Sequence, residues 1–156
     1  MEPSERRMGR RLFSKWMEAC DGRRLPSLDE VEADADPEVL DCSFVIDVTP
    51  GPASYRFSRF GAALHDLVGE DYTGRRIAGL PPTIADGAMD ICHSAVAAAK
   101  PVGRSEELTQ LFGRTLCFRL IVLPVAHEER RVDALVGTIG YRLRQVARNS
   151  PAGATA

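Results

Sequence analysis

Cys92-His93 is the pair in this chain closest to metal chemistry, a thiol beside an imidazole in a stretch of helical periodicity. Successive helical residues are turned by about 100°. Cys92 falls on the apolar stripe, so His93 stands to one side of it, and a surface or edge histidine is its plainer role. The other histidines sit beside acids, as His65-Asp66 and His127-Glu128. Nucleophilic catalysis needs a Ser or Cys within reach of a His that an acid orients, and adjacent side chains diverge on a helix or a strand. No GxSxG, HExxH or P-loop pattern occurs. Gly69, Gly74 and Gly79 are too widely spaced to cradle a phosphate. The acidic run from Asp29 to Asp41 is rich in carboxylates but lies in a segment too flexible to fix two of them about a substrate. Cys20, Cys42, Cys92 and Cys117 form no CxxC pair, which argues for reduced, mostly buried thiols rather than a disulfide framework or zinc knuckle. No catalytic residue and no metal ligand set emerges, so the chain is not read as an enzyme.

These residues are held by elements whose number is bounded by the chain. It has 156 residues, 44% hydrophobic and 27% charged, enough for one domain with an apolar core. A net charge of -2 and a pI near 5.9 give no general pull toward nucleic acid or anionic membrane. Arg6, Arg7, Arg10, Arg11 and Lys15 crowd the start, but Phe13 and Trp16 fall on the opposite helical stripe, so the basic residues read as a solvated face. No segment approaches the roughly 20 apolar residues of a membrane helix. Lys15 and Glu18 interrupt the stretch after the basic start, unlike a signal peptide, and a cytoplasmic location is expected.

Met8, Leu12, Phe13, Trp16, Met17 and Cys20 recur at helical spacing and predict an amphipathic helix from about Met8 to Cys20, ended by Asp21-Gly22. The acidic segment with Pro26 and Pro37 reads as a connector, with one helical turn near Pro37 to Leu40. Cys42 to Val48 and Ser54 to Gly61 read as a hairpin around Pro50-Gly51-Pro52, the second strand alternating Tyr55, Phe57 and Arg59 against Arg56, Ser58 and Phe60. A short helix is expected over Ala62 to Val68. The clearest helix runs from Thr83 to Ala99, with Ile84, Ala88, Ile91, Cys92, Ala95 and Ala99 on one stripe and Thr83 with Asp86 as a capping box.

Three strands follow, near Val102 to Leu111, Arg114 to Val125 and Val132 to Arg142. The middle one places Leu116, Phe118, Leu120 and Val122 on one face and Cys117, Arg119, Ile121 and Leu123 on the other, so both faces need cover. The central helix would cover the inner face, and the N-terminal helix or a second subunit the outer. The chain then divides into residues 1–24 (amphipathic helix and basic segment), 25–41 (acidic connector), 42–146 (sheet domain) and 147–156 (disordered tail). The order argues for an α+β domain, one antiparallel sheet with helices on a face.

Four motifs in order, Trp16-x6-Arg23-x2-Pro26, Tyr55-Arg56-Phe57-x3-Gly61, Leu67-Val68-Gly69-Glu70-Asp71-Tyr72-Thr73-Gly74-Arg75 and Val122-Leu123-Pro124, resemble the PAS domains of short stand-alone bacterial proteins, often alphaproteobacterial. The resemblance spans Trp16 to about Tyr141. It implies a PAS-like five-stranded antiparallel sheet with helices on one face, to which the N-terminal amphipathic helix is an addition here. It also implies a sensory or scaffolding role without catalysis. Two places depart from the pattern: Ser27-Leu28 where a basic residue commonly follows the proline, and His127 to Arg131 in place of a glycine-containing turn. Arg23, Pro26, Tyr55, Arg56, Gly61, Gly69, Gly74, Leu123 and Pro124 are read as structural, serving packing and turns. Arg56 could anchor a carboxylate of the acidic connector as readily as a ligand.

PAS-like haem sensors hold iron through a helical histidine, which makes His93 a haem candidate, though its place off the stripe is against it. No cysteine lies between Gly61 and Pro82, where a flavin-reactive motif would stand. No cofactor is expected. The favoured function is a signalling or interaction module, with Leu12, Phe13, Trp16 and Met17 as a homodimer or partner interface. No output domain fits in the remaining residues, so a separate sensor kinase or scaffold would receive the signal. The alternative is a receptor or carrier holding a modest apolar ligand between sheet and helix, near Phe57, Ile91, Ala95, Phe118 and Leu120.

Overall fold

Apolar stripes and alternating strands must be laid against one another to leave water, and the sequence offers two helical stripes for the two faces of one sheet. The computed structural model describes residues 3–22, 25–49, 55–111, 114–127 and 131–145, and the side chains at 3–7, 67, 83, 106–118 and 141–145 fall outside that description. Its elements in order are α1 (Pro3–Cys20), α2 (Leu28–Glu32), α3 (Pro37–Asp41), β1 (Ser43–Val48), β2 (Tyr55–Phe60), α4 (Ala62–Val68), a 3-10 turn at Ile77–Gly79, α5 (Pro82–Ala98), β3 (Val102–Leu111), β4 (Arg114–Val125) and β5 (Ala134–Gln145). The strands form one five-stranded sheet in the order β2-β1-β5-β4-β3, and every pairing is antiparallel. The α+β class and the five-stranded sheet are as the sequence implies.

Register assigns the faces. Phe44, Ile46, Leu135, Leu120 and Val122 share the inner face, across which α5 lies, while Val45, Val136, Thr138, Ile121 and Leu123 share the outer face, across which α1 lies. The two-sided cover expected of β4 is thus supplied within one chain. In β2 the strict alternation fails: Ser58 is an extra residue opposite the Val45–Ile46 step of β1, so Tyr55, Phe57 and Phe60 are buried together and Arg59 turns to the other side.

Four local expectations need correction. Helix α1 starts at Pro3 rather than Met8, although Asp21 (φ 38) and Gly22 (φ 82) end it where expected. Helix α5 begins at Pro82, whose missing N–H suits a first turn, so Thr83 is inside the helix rather than at its N-cap, which is Pro81. The connector holds two short helices, not one turn. Helix α2 is started by Ser27, whose Oγ accepts from the Glu30 N–H while Glu30 Oε1 accepts from the Ser27 N–H. Strand β5 runs from Ala134 to Gln145, later at both ends than expected. The Pro50-Gly51-Pro52 connection and the tail lie outside the described residues.

Candidate functional site

A ligand would sit on the inner face of the sheet, and the β1–β2 end of that face is occupied by rings. Phe57 meets Phe44 and Phe60 edge-on at centroid distances of 6.1 and 5.1 Å, and Tyr72 packs on Phe57 and Phe60 at 6.3 and 5.7 Å. Such offset and edge contacts are the favoured geometry of aromatic pairs. Gly137 makes room for this cluster: a Cβ there would stand 2.6 Å from Phe44 Cζ. Of the five ligand-pocket candidates, Phe57, Ile91, Ala95 and Leu120 are all buried in this layer. The side chain of Phe118 lies outside the described residues.

At the rim of the layer Tyr55 Oη lies 2.8 Å from His93 Nδ1, the rings edge to face at 5.1 Å. His93 is exposed, and this bond fixes it beside β2 rather than over the core. Burial, and secondarily the neighbouring Cys92, pushes the Tyr55 hydroxyl pKa up. Burial alone pushes the Cys92 thiol up to about 12. Cys92 is a buried thiol in no disulfide, and Cys117 lies outside the described side chains. Among the described residues no group of three or more His, Cys, Asp or Glu is placed to hold a metal.

The third motif forms the loop that closes the rim. Gly69 (φ 83) caps α4, its N–H donating to His65 O at 2.7 Å, and Gly74 (φ 84) turns the chain back to β2. Between them Asp71 Oδ1 accepts from Thr73 N and Oγ1, and these bonds, aided by His65 and Arg75, hold its carboxyl below the usual range. Arg75 pairs with Glu70 at 3.1 Å and lies over the Tyr72 ring at 5.0 Å. The loop backbone then covers the free edge of β2, with Phe57 N donating to Arg75 O and Gly74 N to Phe57 O. Arg56 belongs here too: it donates to Gly74 O at 2.5 Å instead of reaching the acidic connector. The carboxylate is taken by Arg59, which forks onto both oxygens of Glu32 and donates to Ser43 Oγ, though its buried Nε has no partner. Gly61 is a close approach, since a Cβ would fall 2.1 Å from Asp41 O.

The first and last motifs meet across the molecule. Val125 O accepts from Asp133 N on the β5 side, so Pro124 and Ala126 point their backbone groups the other way. β3 begins opposite Val122 and offers them nothing. Trp16 Nε1 donates to Pro124 O at 2.7 Å, and Ala126 N donates to Pro26 O at 2.9 Å. The remaining N–H, that of Pro124, does not exist. Leu12 and Trp16 are therefore internal, 1% and 6% exposed, and are not free to anchor another molecule. Phe13 is half-buried against Trp16, and Met17 is 53% exposed. Arg23, of the first motif, lies outside the described residues. Beside Leu12 a 370 Å³ groove opens between α1 and the α2–α3 connection, crossed by an Arg11–Asp36 ion pair.

No helix among the described residues is long and apolar enough to cross a membrane. A comparison with curated proteins finds no match. Among solved structures the chain is similar to a sensory box sensor histidine kinase from Vibrio cholerae, with 19% identity, a TM-score of 0.51, and 67% of this chain and 86% of that one covered. It is similar also to the PAS domain of Bordetella pertussis BvgS, with 17% identity, a TM-score of 0.50, and 69% and 78% covered. These likenesses are of fold. The PAS domain family model matches residues 4–140, taking in the helix α1 and the whole sheet up to Gly140. With that match and the sheet, helices and rim loop described above, the chain belongs to the PAS domain family, whose members are typically sensory modules of signalling proteins rather than enzymes.

Proposed function

We propose that this PAS domain is a signalling module that works in the cytoplasm through contacts with other proteins, as a homodimer and with separate sensor kinases or scaffolds. The observation that supports it is the ring cluster of Phe44, Phe57, Phe60 and Tyr72 between sheet and helices. A domain that fills this layer with its own side chains has its surface left for recognition. On this reading neither haem nor flavin is held, and His93 serves Tyr55 rather than iron.

Native mass spectrometry of the purified full chain, with an absorption spectrum, tests the reading. The expected result is a protein-only mass and no visible band. A retained small mass would move the protein to the receptor or carrier class, and a Soret or flavin band would overturn the cofactor-free reading.

A further inference from the structure

The loop that covers the edge of β2 sets two like charges side by side. Its main-chain bonds, Phe57 N to Arg75 O and Gly74 N to Phe57 O, place Arg76 directly opposite Arg56 in an antiparallel bridge. Partners in such a bridge send their side chains to the same side of the sheet. That side is the outer one, because Tyr55 and Phe57, which flank Arg56, are buried on the inner side. Both arginines are exposed. Like charges directly opposite each other destabilise a ladder, and the main-chain bonds would form with an uncharged residue at position 76 as well.

The acids nearby leave this pair uncompensated. Glu70 is taken by Arg75, and Asp71 accepts from Thr73 and faces His65. Asp47 stands opposite Arg56 in β1, on the side away from Arg76, and forms no ion pair among the described residues. Gly74 O fixes the Arg56 guanidinium through Nη1 but, being a neutral carbonyl, does not cancel its charge. The Arg76 side chain has no hydrogen bond, ion pair or ring contact among the described residues. Asp47, Arg56 and Arg76 thus form a row across three chain segments, with the excess of positive charge at the loop end.

We infer that Arg56 and Arg76 together hold an oxyanion, the carboxylate or phosphate group of a ligand, on the outer face at the β2 edge. A guanidinium presents N–H groups in a planar fork that matches two oxygens of such a group. One anion set between the two arginines turns their repulsion into a shared attraction. Arg56 is already positioned by Gly74 and keeps its remaining N–H groups for the ligand, while Arg76 closes on it from the loop. Asp47 opposes the anion from the far side of Arg56 and so keeps the affinity modest. This site goes beyond the interaction-module reading and does not depend on it.

Amide NMR titration of the full chain at constant ionic strength tests it, with inorganic phosphate and a hexaglutamate peptide as probes. The amides of Arg56 and of Gly74 to Ile77 are expected to shift saturably with at least one probe. Arg76→Gln should raise the half-saturating concentration about tenfold or more, the loss of a charge-assisted hydrogen bond. Asp47→Asn should lower it about threefold, as removing a nearby like charge does. Saturation by hexaglutamate at lower concentration than phosphate assigns the anion to an acidic protein segment, and the reverse order assigns it to a phosphate; either result upholds the site. Equal titration of the wild type and Arg76→Gln means an adventitious ion only and overturns it, as does a loop that responds to neither probe. A second measurement needs no ligand. Without either probe, Arg76→Gln should unfold at a slightly higher temperature than the wild type, since it removes a like-charge contact, and a lower temperature overturns the inference. None of these failures touches the interaction-module reading, which native mass spectrometry tests separately.

Discussion

Cys92 is 2% exposed on α5, and its thiol gives up its proton only near pH 12 instead of the ordinary 9.0. In the unfolded chain the thiol ionises near 9, while in the folded chain it stays protonated. Above pH 9 the unfolded state therefore binds fewer protons than the folded one, and stability falls as pH rises from about 9 to about 12. Tyr55 is shifted in the same direction and adds to the alkaline loss. Two measurements follow from this residue. Chemical denaturation should show a decline above about pH 9 that is smaller in Cys92→Ala once both are referred to their own stability at pH 7. Native protein at neutral pH should leave Cys92 unmodified by a thiol reagent that labels it fully in denaturant. The stripe of α5 made this burial legible, since Cys92 lies in phase with Ile91 and Ala95. The partner of His93 was not legible, because Tyr55 is 38 residues away and the contact depends on how α5 crosses β2. The same holds for the arginines. The sequence offers Arg56 as a carboxylate anchor, and only the extra Ser58 of β2 decides that Arg59 faces Glu32 instead.

Helix α2 is five residues long, too short to persist on its own strength, and is held by its cap and by the Glu32–Arg59 fork. Glu32→Gln should therefore cost roughly 1–2 kcal/mol in equilibrium unfolding, because it leaves a half-buried guanidinium with a poorer acceptor. Glu38→Gln, on the exposed side of α3, should change stability by less than about 0.5 kcal/mol. The signal for α2 was present in the sequence as Ser27-x-x-Glu30, a capping box before Val31, but the density of acids and prolines around it favoured a connector. Besides its buried stripe, helix α1 is tied to β4 by the indole N–H of Trp16. Trp16→Phe keeps the apolar packing and removes the donor to Pro124 O, so a loss of about 1–2 kcal/mol is expected, roughly 3–6 °C in Tm by thermal unfolding.

At the scale of the whole molecule the class, the five strands and their antiparallel pairing could be read from periodicity and the four motifs, because strand alternation and helical stripes are local. The order β2-β1-β5-β4-β3 and the meeting of the first motif with the last are long-range, and no local pattern carries them. The aromatic filling at the β1–β2 end of the inner face was likewise hidden, since it follows from which rings the bulge gathers. The bonds from Trp16 to Pro124 and from Ala126 to Pro26 have a consequence in time as well as in space. The partners Trp16 and Pro124 are separated by 108 positions. At about 5–20 residues per second, a ribosome takes roughly 5–20 s to make that stretch. During all of it α1 has no β4 or β5 to lie on, and its indole and apolar stripe are open to whatever else is nearby. The N-terminal helix, made first, is among the last parts of the domain to find its place.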